Sequence, residues 1–191
     1  MSTTEMDPPP YWGLRMSQDG IGENGFYWAA VGQWTIAPDW DPQPRCGGGL
    51  HSQGPGGWGV TTQGTRAELI EYAAPPVVVE GTKLKGPRAR IVAIDTEAWA
   101  LAWRWTEGRW PGSIDLRDYP HQLPAGLRYV GGSLILGGYP YPLPAELTYV
   151  GGDLTLGTHP YPLPAGLQYV GGCLNIPDYA YPLPAGLRPG A

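Results

Sequence analysis

One cysteine and one histidine lie close together in a glycine-rich stretch and are the residues best suited to chemistry. Cys46 is followed by three consecutive glycines, and His51 comes two residues after them. A thiol near an imidazole can become a nucleophilic thiolate, and the amides of a glycine-rich turn can hold an oxyanion. Asp39 and Asp41 are close enough in the sequence to orient the imidazole. The pattern therefore has two interpretations, an enzyme that uses Cys46 and His51, or a tight turn with a structural cysteine.

The same stretch does not fit two other kinds of site. One cysteine and one histidine fall short of the four ligands of a structural zinc site, so no metal is predicted. The glycines lack the Lys-Ser/Thr pair of a phosphate-binding loop, so no nucleotide or other cofactor is predicted.

The last third of the chain repeats one phrase with a step of 20 residues. The Leu-Pro pair stands at 123, 143, 163 and 183, and Tyr-Val-Gly-Gly follows the first three pairs. Such self-similarity is typical of stacked coils, because one coil is too small to bury its own apolar face. Alternation predicts a strand over 130–136, with Val130, Gly132, Leu134 and Leu136 pointing inward. The prolines between the strands forbid an α-helix and favour an extended return path.

The spacing of the leucines resembles that of the leucine-rich repeat family, in particular its short bacterial and phage type. The resemblance covers about residues 108–191 and implies a parallel β solenoid whose usual role is protein recognition. The asparagine that usually follows the strand is replaced by Tyr-Pro or His-Pro, so no asparagine ladder is assumed. The residues that carry the resemblance are Leu123, Pro124, Leu127, Val130, Leu134, Leu136 and their copies.

The region before the repeats differs sharply in composition. All nine tryptophans lie between residues 11 and 110. We therefore predict a disordered leader over 1–10, a tryptophan-rich α+β module over 11–107 and the solenoid over 108–191. This module resembles, more loosely, small tailed-phage proteins of unassigned function through Trp34, the run 45–51 and the segment 89–95. The whole chain is predicted to be α+β and mostly β.

Short patterns predict the elements of the tryptophan-rich module. Thr65 and Glu68 have the spacing of a capping box, which predicts a helix over 66–73. Residues 77–80 and 83–85 predict a hairpin, and residues 89–95 predict a buried strand. Trp103, Trp105 and Trp110 are expected to cover the first coil of the solenoid.

Two columns of repeat side chains are expected to face outward and are the candidates for binding a partner. This sheet face is small and almost uncharged, so it either seats a partner surface or is simply exposed. His121 and His159 occupy columns otherwise filled by tyrosine, so they are predicted to join an aromatic stack. The partner-binding candidates are Ser133, Ile135, Asp153, Thr155, Cys173 and Asn175.

The last coil carries a second hypothesis about partners. Pro177 stands where earlier coils have Gly137 and Gly157, and proline removes a donor from the strand ladder. We expect Leu183 and Leu187 to complete this coil, and the end to rest against another subunit or a larger assembly.

Charge and hydropathy narrow the function classes. The net charge of −5 gives no reason to expect nucleic acid. No apolar run approaches the ~18 residues of a membrane span, and no secretory pattern is present, which predicts no membrane partner. The expected location is the cytoplasm of a bacterial host or a virion.

The sequence favours a non-catalytic recognition or structural protein, phage-encoded and virion-associated in a decorating or stabilising role. Its expected partners are a viral or host protein surface, or a second copy bound through the C-terminal solenoid end. Two alternatives stay open. One is an enzyme that uses Cys46 and His51, with the solenoid as a targeting arm. The other is a protein that sequesters a small ligand between tryptophans.

Overall fold

A computed structural model of the chain describes residues 6–21, 25–54, 64–79, 81, 83–117 and 119–190. The first five residues of the predicted leader, Trp58, and Glu80 and Thr82 near the tip of the predicted hairpin lie outside this range. The described chain is mostly β, as predicted, with an antiparallel sheet followed by a parallel β solenoid.

The first part is a seven-stranded antiparallel sheet with strand order β2-β7-β4-β1-β3-β6-β5. Its strands are β1 (Trp12–Ser17), β2 (Trp34–Ile36), β3 (Leu50–Gln53), β4 (Arg66–Tyr72), β5 (Val77–Val79), β6 (Lys83–Gly86) and β7 (Arg88–Ile94). The predicted hairpin is confirmed by the antiparallel pair β5–β6, and the predicted buried strand by β7.

The helix predicted over 66–73 is wrong, because this segment is the central strand β4. It is hydrogen-bonded to β1 on one side and to β7 on the other. Both faces of β4 are covered, so the chain there does not show the simple alternation that marks a half-exposed strand. Glu68 does not close a capping box; it is fully buried among basic side chains of the sheet.

The helix lies further along the chain, where no helix was predicted. Helix α1 (Asp95–Trp105) packs on β4 and β7 and buries the side chains of Trp99, Leu101 and Trp103. It connects the sheet directly to the first coil of the solenoid.

The second part consists of nine two-residue strands that form two parallel ladders, of five and four strands. Paired residues lie 20 positions apart through the middle of the stack, as in Leu134 and Leu154, so the predicted coil length is confirmed. The stack makes about three turns. The strands are β8 (Arg109–Trp110), β9 (Ile114–Asp115), β10 (Tyr129–Val130), β11 (Leu134–Ile135), β12 (Tyr149–Val150), β13 (Leu154–Thr155), β14 (Tyr169–Val170), β15 (Leu174–Asn175) and β16 (Arg188–Pro189).

The single strand predicted over 130–136 is two strands that belong to different ladders. A glycine pair divides them, because successive coils approach each other closely there: a side chain on Gly151 would overlap the Gly131 carbonyl. The inward direction is confirmed for Val130, Leu134 and Leu136, which are fully buried. The leucines therefore form the shared interior that the repeat requires.

Tryptophans close the mouth of the solenoid at its first coil. The ring centroid of Trp103 lies 4.8 Å from that of Trp99 and 6.1 Å from that of Trp110. One continuous apolar core runs from Trp12 in the sheet to Val170 in the solenoid. The predicted cover is confirmed for Trp103 and Trp110. Trp105 lies beside this cluster, where its indole nitrogen donates to the Met6 carbonyl at 3.0 Å.

Candidate functional site

The glycine-rich loop before β3 is folded around a buried lysine. Lys85 Nζ donates to the carbonyls of Arg45, at 2.8 Å, and Gly47, at 3.0 Å. It also lies 5.8 Å from the centre of the Trp40 ring. Carbonyl oxygens and an aromatic face are the groups that a buried ammonium needs. A side chain of the sheet thus holds the backbone of this loop.

The two aspartates proposed to orient His51 bind the loop instead. Asp39 accepts a hydrogen bond from the Gly49 amide at 3.2 Å, and Asp41 pairs with Arg45 at 3.1 Å. The Gln43 amide also donates to Asp41 and lowers the pKa of that carboxyl group. Both carboxylates therefore stabilise the turn.

Cys46 is exposed, and its sulfur lies 3.7 Å from Lys83 Nζ. His51 is half-buried on β3, where it pairs with Lys85 of β6. Burial lowers the pKa of His51, and the positive charges of Lys83 and Lys85 lower it further. The structure thus places a neutral imidazole on β3 and, in the preceding loop, a thiol beside an ammonium group.

The first outward column of the solenoid forms a ladder of side chains bonded to backbone. Ser113 Oγ accepts from the Ser133 amide at 3.0 Å, and Ser133 Oγ accepts from the Asp153 amide at 3.0 Å. Asp153 Oδ1 then accepts from the Cys173 amide at 2.8 Å. Each side chain satisfies a backbone donor of the next coil. These side chains take the role that an asparagine ladder would have, and this ladder was not predicted from the sequence.

The second outward column combines apolar, polar and charged side chains. Ile135 and Thr155 are half-buried, and Asn175 is exposed at the last coil. At the first coil, Asp115 is bound by Arg117 at 2.8 Å. The six residues proposed to bind a partner therefore lie on one sheet face, and two of them, Ser133 and Asp153, also hold neighbouring coils together.

A stack of tyrosines runs along the other ladder and was not predicted. The ring centroids of Tyr129 and Tyr149 are 4.5 Å apart, and those of Tyr149 and Tyr169 are 4.8 Å apart. Arg109 covers the first ring at 4.4 Å. Three tyrosines at the coil step were the available signal in the sequence. Because the ring faces meet each other, the stack serves the solenoid itself.

His121 and His159 lie among aromatic rings, as predicted, but the contacts run within a coil rather than along the axis. His121 meets Tyr119 edge-on at 5.4 Å, and His159 meets Tyr161 at 5.8 Å. Tyr139 meets Tyr141, two residues further along the same coil, in the same edge-on arrangement.

Tyrosines in the column that contains His159 accept hydrogen bonds from backbone amides. Tyr139 accepts a hydrogen bond from the Leu123 amide at 2.6 Å, and Tyr179 accepts one from the Leu163 amide at 2.6 Å. Neither ring nitrogen of His159 makes the hydrogen bond to a backbone amide that the tyrosine hydroxyls of this column make in the described chain. Burial lowers the pKa of His159, so the ring is neutral near pH 7.

A charged cluster inside the sheet was also not predicted from the sequence. Glu68 is fully buried and contacts Arg15 Nε at 2.6 Å and Arg66 Nε at 3.1 Å. Ser17 donates to the same carboxylate at 2.8 Å, and Trp28 covers Arg15 at 4.3 Å. Burial lowers the pKa of Arg15, and the charge of Glu68 opposes this effect. Two bases around one acid form a self-contained ion network.

The C-terminal end of the solenoid is the outer side of residues 171–190. Leucine side chains at this end are exposed, whereas their equivalents in the inner coils are buried. Leu163 is 5% exposed, whereas Leu183 in the same column is 50% exposed. Leu134 and Leu154 are fully buried, whereas Leu174 is only partly buried. The solenoid interior therefore opens to solvent at this end.

No group of three or more His, Cys, Asp or Glu residues within the described ranges is arranged to hold a metal ion. None of the helices described has both the length and the apolar character to cross a membrane.

The fold defines a class of protein, a short β solenoid whose first coil is capped by a helix and an antiparallel sheet. No protein-family model, curated protein or solved structure matches the chain.

Proposed function

We propose that this is a non-catalytic protein-recognition or structural protein that docks on a protein surface through the C-terminal end of its solenoid. The observation that supports this proposal is the exposure of Leu183, whose equivalents in earlier coils are buried. Tyr181 adds exposed aromatic surface within the same residues. Exposed aromatic and aliphatic side chains that adjoin an apolar interior are typical of interaction sites.

Affinity capture with the full chain tests this proposal. We expect a bait with the wild-type sequence to retain a partner that a Leu183→Arg bait loses. A Val78→Arg bait is the matched control, because Val78 is similarly exposed, at 52%, on the far edge strand β5. Equal capture by all three baits would contradict docking through the C-terminal end.

The finer proposal is a phage-encoded protein that decorates or stabilises a virion, either in the cytoplasm of a bacterial host or on the particle. Its support is the likeness of the Leu-Pro repeat to short bacterial and phage leucine-rich repeats, together with a rigid body of low charge. Mass spectrometry of purified virions tests it: the chain should copurify at a fixed ratio to the capsid protein. Its presence only in the soluble fraction would contradict this role.

The alternative of a cysteine enzyme is favoured by one observation, the contact between Cys46 and Lys83. Cys173 is a matched thiol, since it is also exposed but lies on the solenoid. If Cys46 is a nucleophile, iodoacetamide should label it faster than Cys173, and Lys83→Met should remove the difference. Equal labelling of both thiols would count against the enzyme. A small-ligand site between tryptophans could not use Trp99, Trp103 or Trp110, because these three side chains are buried in the core.

A further inference from the structure

The C-terminal end of the solenoid presents backbone donors on one ladder. In the four-stranded ladder each coil donates forward, from Leu134 N to Asp153 O at 2.7 Å and from Leu154 N to Cys173 O at 2.9 Å. The strand β15 is the last of this ladder within the described chain. Since the direction repeats in every coil, the amides of Leu174 and Ile176 point out of the stack.

The same edge strand also presents an acceptor at this end. A strand at the edge of a sheet leaves C=O as well as N–H groups unpaired, and a strand residue points both groups to the same side. The carbonyl of Leu174 in β15 therefore faces the open side together with its amide. Donors and an acceptor lie side by side on this edge.

A surface of this kind fits a copy of itself turned by a two-fold rotation. In such an isologous contact each donor of one copy can meet an acceptor of the other. Charge does not oppose the contact, because the only charged residues in the sequence 171–190 are Asp178 and Arg188, which have opposite signs. The apolar side chains of the end coil lose their contact with water at the same time.

The opposite mouth of the solenoid excludes a head-to-tail arrangement. Trp99, Trp103 and Trp110 fill the first coil, and α1 and the sheet cover it. A second copy therefore has no free first coil to continue the stack. The C-terminal ends of two copies can still contact each other face to face.

We propose that the C-terminal end of the solenoid is a homodimer interface, in which a second copy of this chain lies across a two-fold axis and covers Leu174, Ile176 and Leu183. This inference rests on the proposed function, since it names the partner of the same surface. A two-fold contact closes at two copies, so it predicts a dimer and no larger species.

Sedimentation velocity of the full chain over about a hundredfold range of concentration tests the dimer, because a reversible dimer dissociates on dilution. We expect Leu183→Arg to weaken the dimer by about tenfold or more, as an apolar residue at the centre of an interface would. Val78→Arg, the matched control at a similarly exposed site, should leave the dimer unchanged. Near-ultraviolet circular dichroism checks that both variants keep their fold.

Crosslinking gives a second measurement that does not depend on a destabilising variant. Cys173 lies on the end coil, and Cys46 lies on the sheet module. A bis-maleimide should therefore join two copies of the Cys46→Ser chain through Cys173, and should fail with Cys173→Ser. Crosslinked dimers that persist in Cys173→Ser would overturn the proposal.

Three sedimentation results would also overturn it: dimerisation that Val78→Arg abolishes and Leu183→Arg does not, growth beyond two copies, or a monomer at every concentration. A monomer that still captures another protein, with capture lost in Leu183→Arg, would overturn the homodimer and support the proposed docking function. A monomer without such capture would overturn both.

Discussion

The two halves of the molecule are stabilised by contacts of different kinds. In the sheet, β4 lies between β7 and β1, of which β1 is far from it in the chain, and each pairing occurs once. In the solenoid, two-residue strands pair with their copies one coil away, and side chains such as Ser133 bond to the next coil. The first half therefore depends on unique partners, and the second on one contact repeated along an axis.

A charge in the solenoid interior should give the largest effect. Leu154 is fully buried between equivalent leucines, so Leu154→Asp should cost about 4 kcal/mol or more in the free energy of unfolding. Urea unfolding followed by circular dichroism measures this loss. The same change at Leu183, which is half exposed, should cost much less in dilute solution. Equal losses at the two positions would show that the coils do not share one interior.

The corresponding test in the sheet removes the buried charge of Glu68. Glu68→Gln leaves Arg15 and Arg66 without their counter-ion, which should cost about 3–5 kcal/mol. Glu71→Gln is the control, because Glu71 pairs with the partly exposed Arg90 and should cost about 1 kcal/mol or less. Similar denaturation midpoints for both variants would contradict a buried network.

The residue at 159 offers a gain of stability within the solenoid. His159→Tyr supplies a hydroxyl group for the Leu143 amide, as Tyr139 does for Leu123, and should add about 1 kcal/mol. The control His121→Tyr changes a half-exposed ring and should add little. Thermal melts of the two variants measure the difference, and a loss of stability in His159→Tyr would contradict the ladder.

The same substitution should change how stability depends on pH. The pKa of His159 is lowered in the folded state, so the unfolded chain binds more protons near the ordinary value of 6.5. Stability is therefore complete above that value and falls as the pH decreases through it toward the folded pKa. His159→Tyr should reduce this fall, while His51, whose pKa is also lowered, should retain a part of it. Identical pH profiles for wild type and variant would show that His159 is not buried as a neutral ring.

The smallest expected effect comes from one rung of the side-chain ladder. Ser133→Ala removes the acceptor of the Asp153 amide and should cost about 0.5–1 kcal/mol. Thr155→Ala, on the neighbouring outward column, should change stability by less than about 0.5 kcal/mol. Urea midpoints measured in parallel check the difference. A larger loss of stability in Thr155→Ala than in Ser133→Ala would contradict the ladder.

The contrast between the halves also explains what could be predicted. The coil step and the inward row of Val130, Leu134 and Leu136 follow from periodicity, because each coil has its own copies as neighbours. The helix was expected over 66–73 because Thr65 and Glu68 match a local signal. The strand β1, which pairs with this segment, and Arg15, which binds Glu68, are distant in sequence and gave no local signal.

The candidate sites were predicted unevenly for the same reason. Cys46 lies in the glycine-rich loop and His51 on the strand β3 that follows it, and the contact of the thiol with Lys83 comes from another strand and was not predicted. On the solenoid, the outward position of Ser133 followed from alternation. Its bond to the Asp153 amide depends on how closely two coils approach, which the sequence alone does not give.

Amide hydrogen exchange, resolved by residue and measured on the dilute Leu183→Arg variant, tests the central claim most directly. That claim is a solenoid sealed by tryptophans at its first coil and open at its last. The amides of Leu134, Leu136, Leu154 and Leu156 donate to the following coil and should exchange slowly, whereas those of Leu174 and Ile176 should exchange rapidly. Equal protection across all coils, or rapid exchange in the inner ones, would contradict it.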